Sequence, residues 1–214
     1  YRNGKPEAFE GYCTDIFFRE TMRFIKEGVD EKSKQPFFVY LPLNAMHGPF
    51  TVADKYSAPF TEKGIPESRS IFYGMIQNFD ENLGKLLTSL KQWNIDDDTL
   101  VIFMGDNGTA AGSNGKLDSD GFNAAMKGKK GAVYEGGHRV ACFARWPQKL
   151  KAGGSIDKLT MHTDWLPTLT ELCDLKKNKN LNWDGRSIAS LLEGKSNDWK
   201  ARSIFISKQA DQLN

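Results

Sequence analysis

Apolar residues along the chain follow two patterns, a recurrence every three or four residues and short continuous runs. The recurrence from Phe72 to Leu90 predicts a long helix, because positions three or four apart share one helix face. Its apolar positions are Phe72, Met75, Ile76, Phe79, Leu83, Leu86, Leu87 and Leu90. An earlier helix is predicted after Thr14, a suitable N-cap. Its expected apolar face carries Ile16, Phe17, Phe24 and Ile25.

Continuous apolar runs predict buried β-strands, which alternate with the helices. Three runs carry this prediction: 37–41 (FFVYL), 99–104 (TLVIFM) and 140–146 (VACFARW). Loops are predicted from 47 to 66 and, rich in glycine, from 105 to 131. A further helix is expected to be capped at Thr163 or Asp164, with Trp165 and Leu166 in the core, and the run 203–207 resembles a strand. This alternation indicates an α/β sheet covered on both faces.

Composition narrows the class of protein. The 214 residues are 39% hydrophobic and 26% charged with a formal net charge of +2, which is typical of a soluble globular protein. We expect no membrane span, because no apolar run approaches the roughly 18 residues that one requires. We also expect no nucleic-acid partner, because the basic clusters 127–130 and 176–179 are short and lack interleaved aromatic residues. The three cysteines have no C-x-x-C spacing, and those within apolar runs are expected to be buried free thiols.

Polar residues stand directly after two of the predicted strands, where α/β sheets bind ligands. Asp106 and Asn107 follow the run 99–104 and offer hard oxygen ligands that suit calcium or magnesium. Gly105 and Gly108 flank them and would let the backbone and an ion approach closely. The alternative is that Asp-Asn-Gly is merely a turn.

Two further segments carry candidate chemistry. His47 follows the run 37–41 and could exchange a proton near neutral pH, or be a loop histidine whose hydrogen bonds go to backbone. In the segment 127–140 (KGKKGAVYEGGHRV), Lys130 could hold an anion, although a solvated lysine cluster is the simpler interpretation. His138 could also reach a substrate there, and Arg139 is expected to be structural.

Together these segments resemble the sulfatase family, within the alkaline-phosphatase-like superfamily. The matching segments, in order, are 11–15 (GYCTD), 36–50 (PFFVYLPLNAMHGPF), 103–108 (FMGDNG), 128–140, 145–147 (RWP), 163–169 (TDWLPTL) and 184–194 (DGRSIASLLEG). The resemblance implies an α/β/α sandwich around a mostly parallel mixed sheet, incomplete at the N-terminus. Residues 1–195 would form the C-terminal part of the catalytic domain, and 196–214 the start of a truncated C-terminal α+β subdomain.

The resemblance also implies roles for individual residues. Asp106 and Asn107 would bind one calcium ion. Lys130 would contact the sulfate, and His47 would lie beside the ester oxygen, which makes these two the catalytic candidates. His138 is a further substrate-binding candidate. The implied substrate is a sulfate ester, either a sulfated carbohydrate or an aryl sulfate, and the implied location is periplasmic, secreted or lysosomal.

Other residues depart from the family pattern. Sulfatases use a formylglycine made from the Cys or Ser of a C/S-x-P-x-R motif, and none of Cys13, Cys142 and Cys173 fits it. The two aspartates that complete the calcium site near the amino terminus are also absent. We therefore expect the chain to be the C-terminal half of a longer enzyme, with the formylglycine in the other half. By itself it is expected to be inactive and prone to aggregate.

Two other functions remain open at this stage. A phosphodiesterase or phosphonate hydrolase of the same superfamily would share the fold and the metal-binding strand ends. A pseudoenzyme would bind sulfated glycans without cleaving them.

Overall fold

A computed structural model describes residues 1–32, 35–110, 124–177, 180–195 and 199–207. Its helices are α1 (Cys13–Asp30), α2 (Asp54–Thr61), α3 (Glu67–Gln92), α4 (Glu135–His138), α5 (Trp165–Leu172) and α6 (Ala189–Leu192). A 3₁₀ turn, His162–Asp164, precedes α5. Two strands are present in these ranges, β1 (Val101–Met104) and β2 (Cys142–Arg145). None of the described helices is long and apolar enough to cross a membrane.

The chain divides into two compact units. The first comprises residues 1–96 and 107–139, and the second comprises 97–106 and 140–214. The predicted boundary between 195 and 196 borders residues 196–198, which lie outside the described ranges, so it stays a prediction.

The first unit is built around the long helix α3, which confirms the helix predicted from its apolar recurrence. Met75, Leu86 and Leu90 are buried along it. Phe79 meets Phe18 of α1 edge-on, with ring centroids 5.9 Å apart. This aromatic pair joins α1 to α3.

Helix α1 is present, and its buried face confirms the prediction at Ile25 but not at Phe17 or Phe24. Phe18 and Ile25 are buried, whereas Phe17 and Phe24 are exposed. The Asp15 carboxylate sets this phase, because its Oδ1 accepts hydrogen bonds from the Asn78 and Asn82 amides of α3, at 2.8 and 2.7 Å. The predicted cap is also wrong: Tyr12 is the N-cap, and Thr14 lies inside the first turn with its side chain buried.

Helix α2 corrects the prediction of a continuous loop from 47 to 66. Its Tyr56 is buried, and the Tyr56 hydroxyl donates a 2.8 Å hydrogen bond to Glu81 of α3. Gly74 of α3 allows the two helices to approach, since a Cβ there would come within 2.9 Å of Val52 and 3.0 Å of the Tyr56 backbone. Contacts with α3, which a local pattern does not contain, stabilise this short helix.

In the second unit, β1 and β2 pair antiparallel, and the register places Val101 opposite Arg145 and Met104 opposite Cys142. Both strands were predicted, within the runs 99–104 and 140–146. Phe103 and Phe143 face each other across the pair, with their rings stacked at 6.1 Å. A small core of Trp146, Leu172 and Ala189 lies beyond the strands.

Two predicted strands are not formed, and the expected parallel sheet is not contained in the described ranges. The only sheet there is the antiparallel β1 and β2 pair. The runs 37–41 and 203–207 are not strands. Phe38 and Tyr40 are 76% and 79% exposed. A strand requires a neighbouring backbone for its hydrogen bonds, and no described segment supplies one to either run.

Three smaller expectations also fail. Leu166 is exposed on α5 instead of belonging to the core. Cys142, the first residue of β2, and Cys173, which follows the end of α5, are free but exposed. An apolar run shows that neighbouring residues in the sequence are apolar. It does not show which of their side chains the folded protein buries.

Candidate functional site

The Asp-Asn-Gly sequence follows β1 directly, as expected. The Asp106 side chain is exposed, Asn107 is half-buried and Gly108 is buried. The Asn107 side-chain amide nitrogen donates to the Gly108 carbonyl oxygen at 3.1 Å. That bond uses the donor end of the amide, so Oδ1 is left as an acceptor suited to a cation.

Gly108 packs against the glycine pair of the Glu-Gly-Gly sequence, backbone against backbone. The Gly108 N–H donates to the Gly137 carbonyl oxygen at 2.9 Å. A Cβ on Gly108 would lie closer than 3.0 Å to the Gly136 carbonyl group. We expected Gly108 to make room for an ion; the structure shows that it makes room for this second loop.

Gly136 and Gly137 are packed equally closely against the loop that carries Lys130, residues 127–134, which we call the Lys130 loop. A Cβ on Gly136 would meet the Gly128 carbonyl oxygen, and a Cβ on Gly137 would meet the Ala132 carbonyl oxygen, each closer than 3.0 Å. We call Gly108, Gly136 and Gly137 the glycine lock. The sequence analysis did not predict that these three glycines allow close backbone packing, although the Gly-Gly doublet is typical of such packing.

The glycine lock brings Lys130 beside the Asp-Asn-Gly segment. The Lys130 N–H donates a 2.7 Å hydrogen bond to the Thr109 carbonyl oxygen, two residues after Asn107. The Lys130 side chain is exposed, and no hydrogen bond or ion pair of the described residues involves its ammonium group. The backbone of Lys130 is therefore held close to the Asp-Asn-Gly segment in space, and its exposed side chain could bind an anion.

His138 and Arg139 follow the glycine lock at the end of α4. Both are exposed. Arg139 forms a 3.3 Å ion pair with Glu135 of α4 on the surface, and its expected structural role stays a prediction. His138 immediately follows Gly137 in the sequence, so it lies one residue beyond the glycine lock.

His47 lies in a separate segment, between cis peptide bonds at Ala45–Met46 and Gly48–Pro49. Its ring Nδ1 is 2.7 Å from the Gly48 carbonyl oxygen. Because a carbonyl oxygen only accepts, Nδ1 carries a proton and Nε2 is left for another partner. The ring is exposed, and no hydrogen bond of the described residues joins it to Lys130 or His138.

The donor set at Asp106 and Asn107 fits a hard cation in part. A carboxylate and an amide oxygen are both ligands that calcium accepts, but calcium takes six to eight oxygens. Within the described residues, no group of three or more His, Cys, Asp or Glu side chains is placed to hold a metal ion. These two residues could thus supply part of a calcium site, completed by other ligands.

Comparison with protein families gives a match to the sulfatase family model over residues 1–175. The chain belongs to the sulfatase family. Among curated relatives of this sulfatase chain, the uncharacterized sulfatase YdeN of Escherichia coli K12 is 30% identical over 200 residues, which are 91% of the chain and 33% of YdeN. Human N-acetylgalactosamine-6-sulfatase is 30% identical over 198 residues, 92% of the chain and 35% of that protein.

Solved structures agree with this family assignment. The crystal structure of Ps i-CgsB in complex with k-i-k-neocarrahexaose is 34% identical with a TM-score of 0.79, over 90% of this chain and 41% of that one. The likeness supports the α/β class predicted for the sulfatase chain. The chain spans about a third of the curated relatives that it matches.

We expect Gly136→Ala to destabilise the glycine lock, because the added methyl group would meet the Gly128 and Lys127 carbonyl oxygens. Neither is the end of a flexible side chain, so the backbone must shift, at a cost of about 1–3 kcal/mol. The measurement is urea unfolding combined with amide hydrogen exchange at Gly108 and Lys130. Gly84→Ala is the matched control, since nothing lies within 4 Å of a Cβ there. Equal stability and exchange in the two variants would show that the lock is loose.

Proposed function

We propose that this chain forms part of a calcium-dependent sulfatase that hydrolyses a sulfate monoester. One observation carries the proposal: the Asp-Asn-Gly segment and the Lys130 loop are packed backbone to backbone through the glycine lock. Asn107 and Lys130 are far apart in the sequence, yet both lie in the first unit, whose backbone hydrogen bonds hold their segments side by side. Membership of the sulfatase family supports the same reaction.

Asp106 and Asn107 are the residues that would hold calcium in this proposal. Asn107 presents Oδ1 because its amide nitrogen is bound to Gly108, and the exposed Asp106 carboxylate adds a negative charge. A bound calcium ion would supply positive charge that stabilises the developing negative charge of the transition state.

Lys130 and His47 are the proposed catalytic residues of this chain. The exposed Lys130 ammonium group would bind a sulfate oxygen and stabilise charge there as the ester bond breaks. His47 would use its ring Nε2 to hydrogen-bond the ester oxygen, or to protonate it when the ring is charged. His138 would add a substrate contact after the glycine lock.

The nucleophile is not provided by the residues of this chain. The sequence contains no C/S-x-P-x-R motif, so a formylglycine has no place among the 214 residues. We propose that a further part of the polypeptide supplies it, together with the remaining calcium ligands, and that the chain is inactive without that part. Export of the whole protein stays a prediction.

We propose a sulfated carbohydrate as the substrate. Support comes from the 34% identity to Ps i-CgsB, whose crystal structure contains k-i-k-neocarrahexaose. The 30% identity to N-acetylgalactosamine-6-sulfatase supports the same substrate class. Carrageenan oligosaccharides are therefore the first substrates to test, with an aryl sulfate as the simpler alternative.

The test uses the full-length protein with its formylglycine verified by mass spectrometry. We expect sulfate release from carrageenan oligosaccharides, loss of that activity after calcium chelation, and recovery when calcium is restored. We also expect Asp106→Ala to weaken calcium binding, measured by calorimetry, because the site loses a carboxylate ligand. Asp157→Ala serves as a control, since that exposed carboxylate is remote in sequence from the site.

Other outcomes of these experiments would assign a different function or would refute one part of the proposal. Cleavage of a phosphodiester or phosphonate in preference to a sulfate ester would identify a hydrolase of the other type in this superfamily. Tight binding of sulfated oligosaccharide without sulfate release would identify a non-catalytic glycan-binding protein. Activity that is unaffected by chelation would refute the calcium proposal alone.

A further inference from the structure

Lys127 differs from its neighbouring lysines in the position of its ammonium group. The Lys127 Nζ lies 3.9 Å from the centroid of the Tyr134 ring, which is cation–π geometry. Lys127 and Tyr134 stand on either side of Lys130 in the sequence. Their contact therefore closes the loop that carries the proposed sulfate-binding residue.

The backbone of the same two residues is also bound to the glycine lock. The Lys127 carbonyl oxygen accepts a 2.8 Å hydrogen bond from Gly136, and the Tyr134 carbonyl oxygen accepts one of 2.8 Å from Gly137. Gly128 has φ +88°, and a Cβ there would lie only 3.0 Å from the Tyr134 Cβ. Both ends of the loop are held in one place.

We infer that Lys127 is a positioning residue, whose cation holds the Tyr134 ring and thereby fixes where Lys130 presents its ammonium group. The inference rests on the proposed function of Lys130. It assigns different roles to two lysines three residues apart: Lys130 binds the anion, and Lys127 orders the loop.

Lys127 could instead affect activity by contacting the substrate directly. A substitution of Tyr134 distinguishes this explanation from a positioning role. If Lys127 acts through the ring, then Tyr134→Leu reproduces the effect of Lys127→Met, and the double variant is no worse than either single variant. If Lys127 binds substrate directly, Tyr134→Leu leaves the effect of Lys127→Met intact and the two losses multiply.

The experiment compares the full-length protein with its Lys127→Met, Lys127→Arg, Tyr134→Leu and double variants. We expect Lys127→Met and Tyr134→Leu each to lower kcat/KM for sulfate release by about two- to fivefold, the size of an exposed cation–π contact. Lys127→Arg should retain nearly full activity, because a guanidinium group also stacks on an aromatic face. Lys129→Met is the matched control and should leave kcat/KM unchanged.

Amide hydrogen exchange at Lys130 and Gly136 provides a readout that does not depend on the reaction. We expect faster exchange in Lys127→Met and Tyr134→Leu, with wild-type rates in Lys127→Arg and Lys129→Met. Unchanged exchange in Lys127→Met, or multiplying losses in the double variant, would overturn the inference. If the wild-type protein releases no sulfate, the proposed function fails, while the exchange rates still decide whether Lys127 orders the loop.

Discussion

Lys130→Met in the full-length protein is expected to lower kcat/KM for sulfate ester hydrolysis by about 100- to 1,000-fold, the loss typical of removing one group that stabilises transition-state charge. The methionine retains most of the length of the side chain and removes its charge. Folding should be unaffected, because the Lys130 ammonium group has no ion pair among the described residues and its backbone hydrogen bond to Thr109 is retained.

The measurement is steady-state kinetics, with thermal unfolding recorded on the same samples. Lys129→Met is again the matched control, since it removes the same charge one residue away. A loss of activity common to both variants would attribute the effect to the overall positive charge of the loop. Activity within about threefold of wild type for Lys130→Met would favour the solvated lysine cluster that the sequence left open.

Asp164→Ala is expected to produce the largest loss of stability in the second unit. Asp164 is fully buried, and its carboxylate forms an ion pair with both terminal nitrogens of Arg202. The same carboxylate accepts the Met161 N–H at 2.8 Å and the Arg186 N–H at 3.0 Å. Its removal leaves a largely buried guanidinium and two backbone donors without partners, at a cost of about 3 kcal/mol.

Denaturant unfolding of the protein measures this cost. Asp157→Ala is the control, because Asp157 pairs with Lys158 on the surface and its side chain is 86% exposed. We expect little change from that variant, as surface ion pairs contribute little. In the Asp164→Leu/Arg202→Met double variant, part of the stability should return, since no buried charge is left unpaired. A small loss from Asp164→Ala would mean that Arg202 finds solvent or another partner.

The same carboxylate predicts a pH dependence. Burial by itself would raise the pKa of Asp164, but hydrogen bonds from Arg202, Met161 and Arg186 outweigh burial and hold this pKa below its ordinary value. The unfolded chain therefore takes up the proton first as the pH falls. The stabilisation by Asp164 is complete well above pH 3.8, the ordinary value, and is lost as the pH falls toward the pKa of the folded state. Asp164→Ala should show no such acid loss.

The helices illustrate what local sequence patterns can predict. The recurrence from Phe72 to Leu90 is long and regular, and α3 forms there as predicted. The same reasoning placed Ile25 correctly on the buried face of α1 but put Phe17 there instead of Phe18, because the hydrogen bonds from Asn78 and Asn82 to Asp15 help to set that face. A hydrogen bond between residues more than sixty positions apart is not visible in a local pattern.

The strands show a different limit. Apolar runs predicted β1 and β2 correctly, since each has the other as a partner. The equally apolar run 37–41 forms no strand among the described residues, and its aromatic side chains are exposed. Strand formation depends on a neighbouring backbone, so composition alone does not decide it.

The sequence by itself determined the family, the order of its motifs and the candidate residues Asp106, Asn107, Lys130, His47 and His138, because the chemistry of a side chain is fixed by its identity. The tertiary structure decided how these residues are held. It showed that Gly108, Gly136 and Gly137 pack without side chains between their backbones, which joins the Asp-Asn-Gly segment to the Lys130 loop. It also showed that Asp164, which is the N-cap residue of α5 as predicted, gives its carboxylate to Arg202, thirty-eight residues away. Such contacts depend on folding distant segments together, and the spacing of residues along the chain does not specify them.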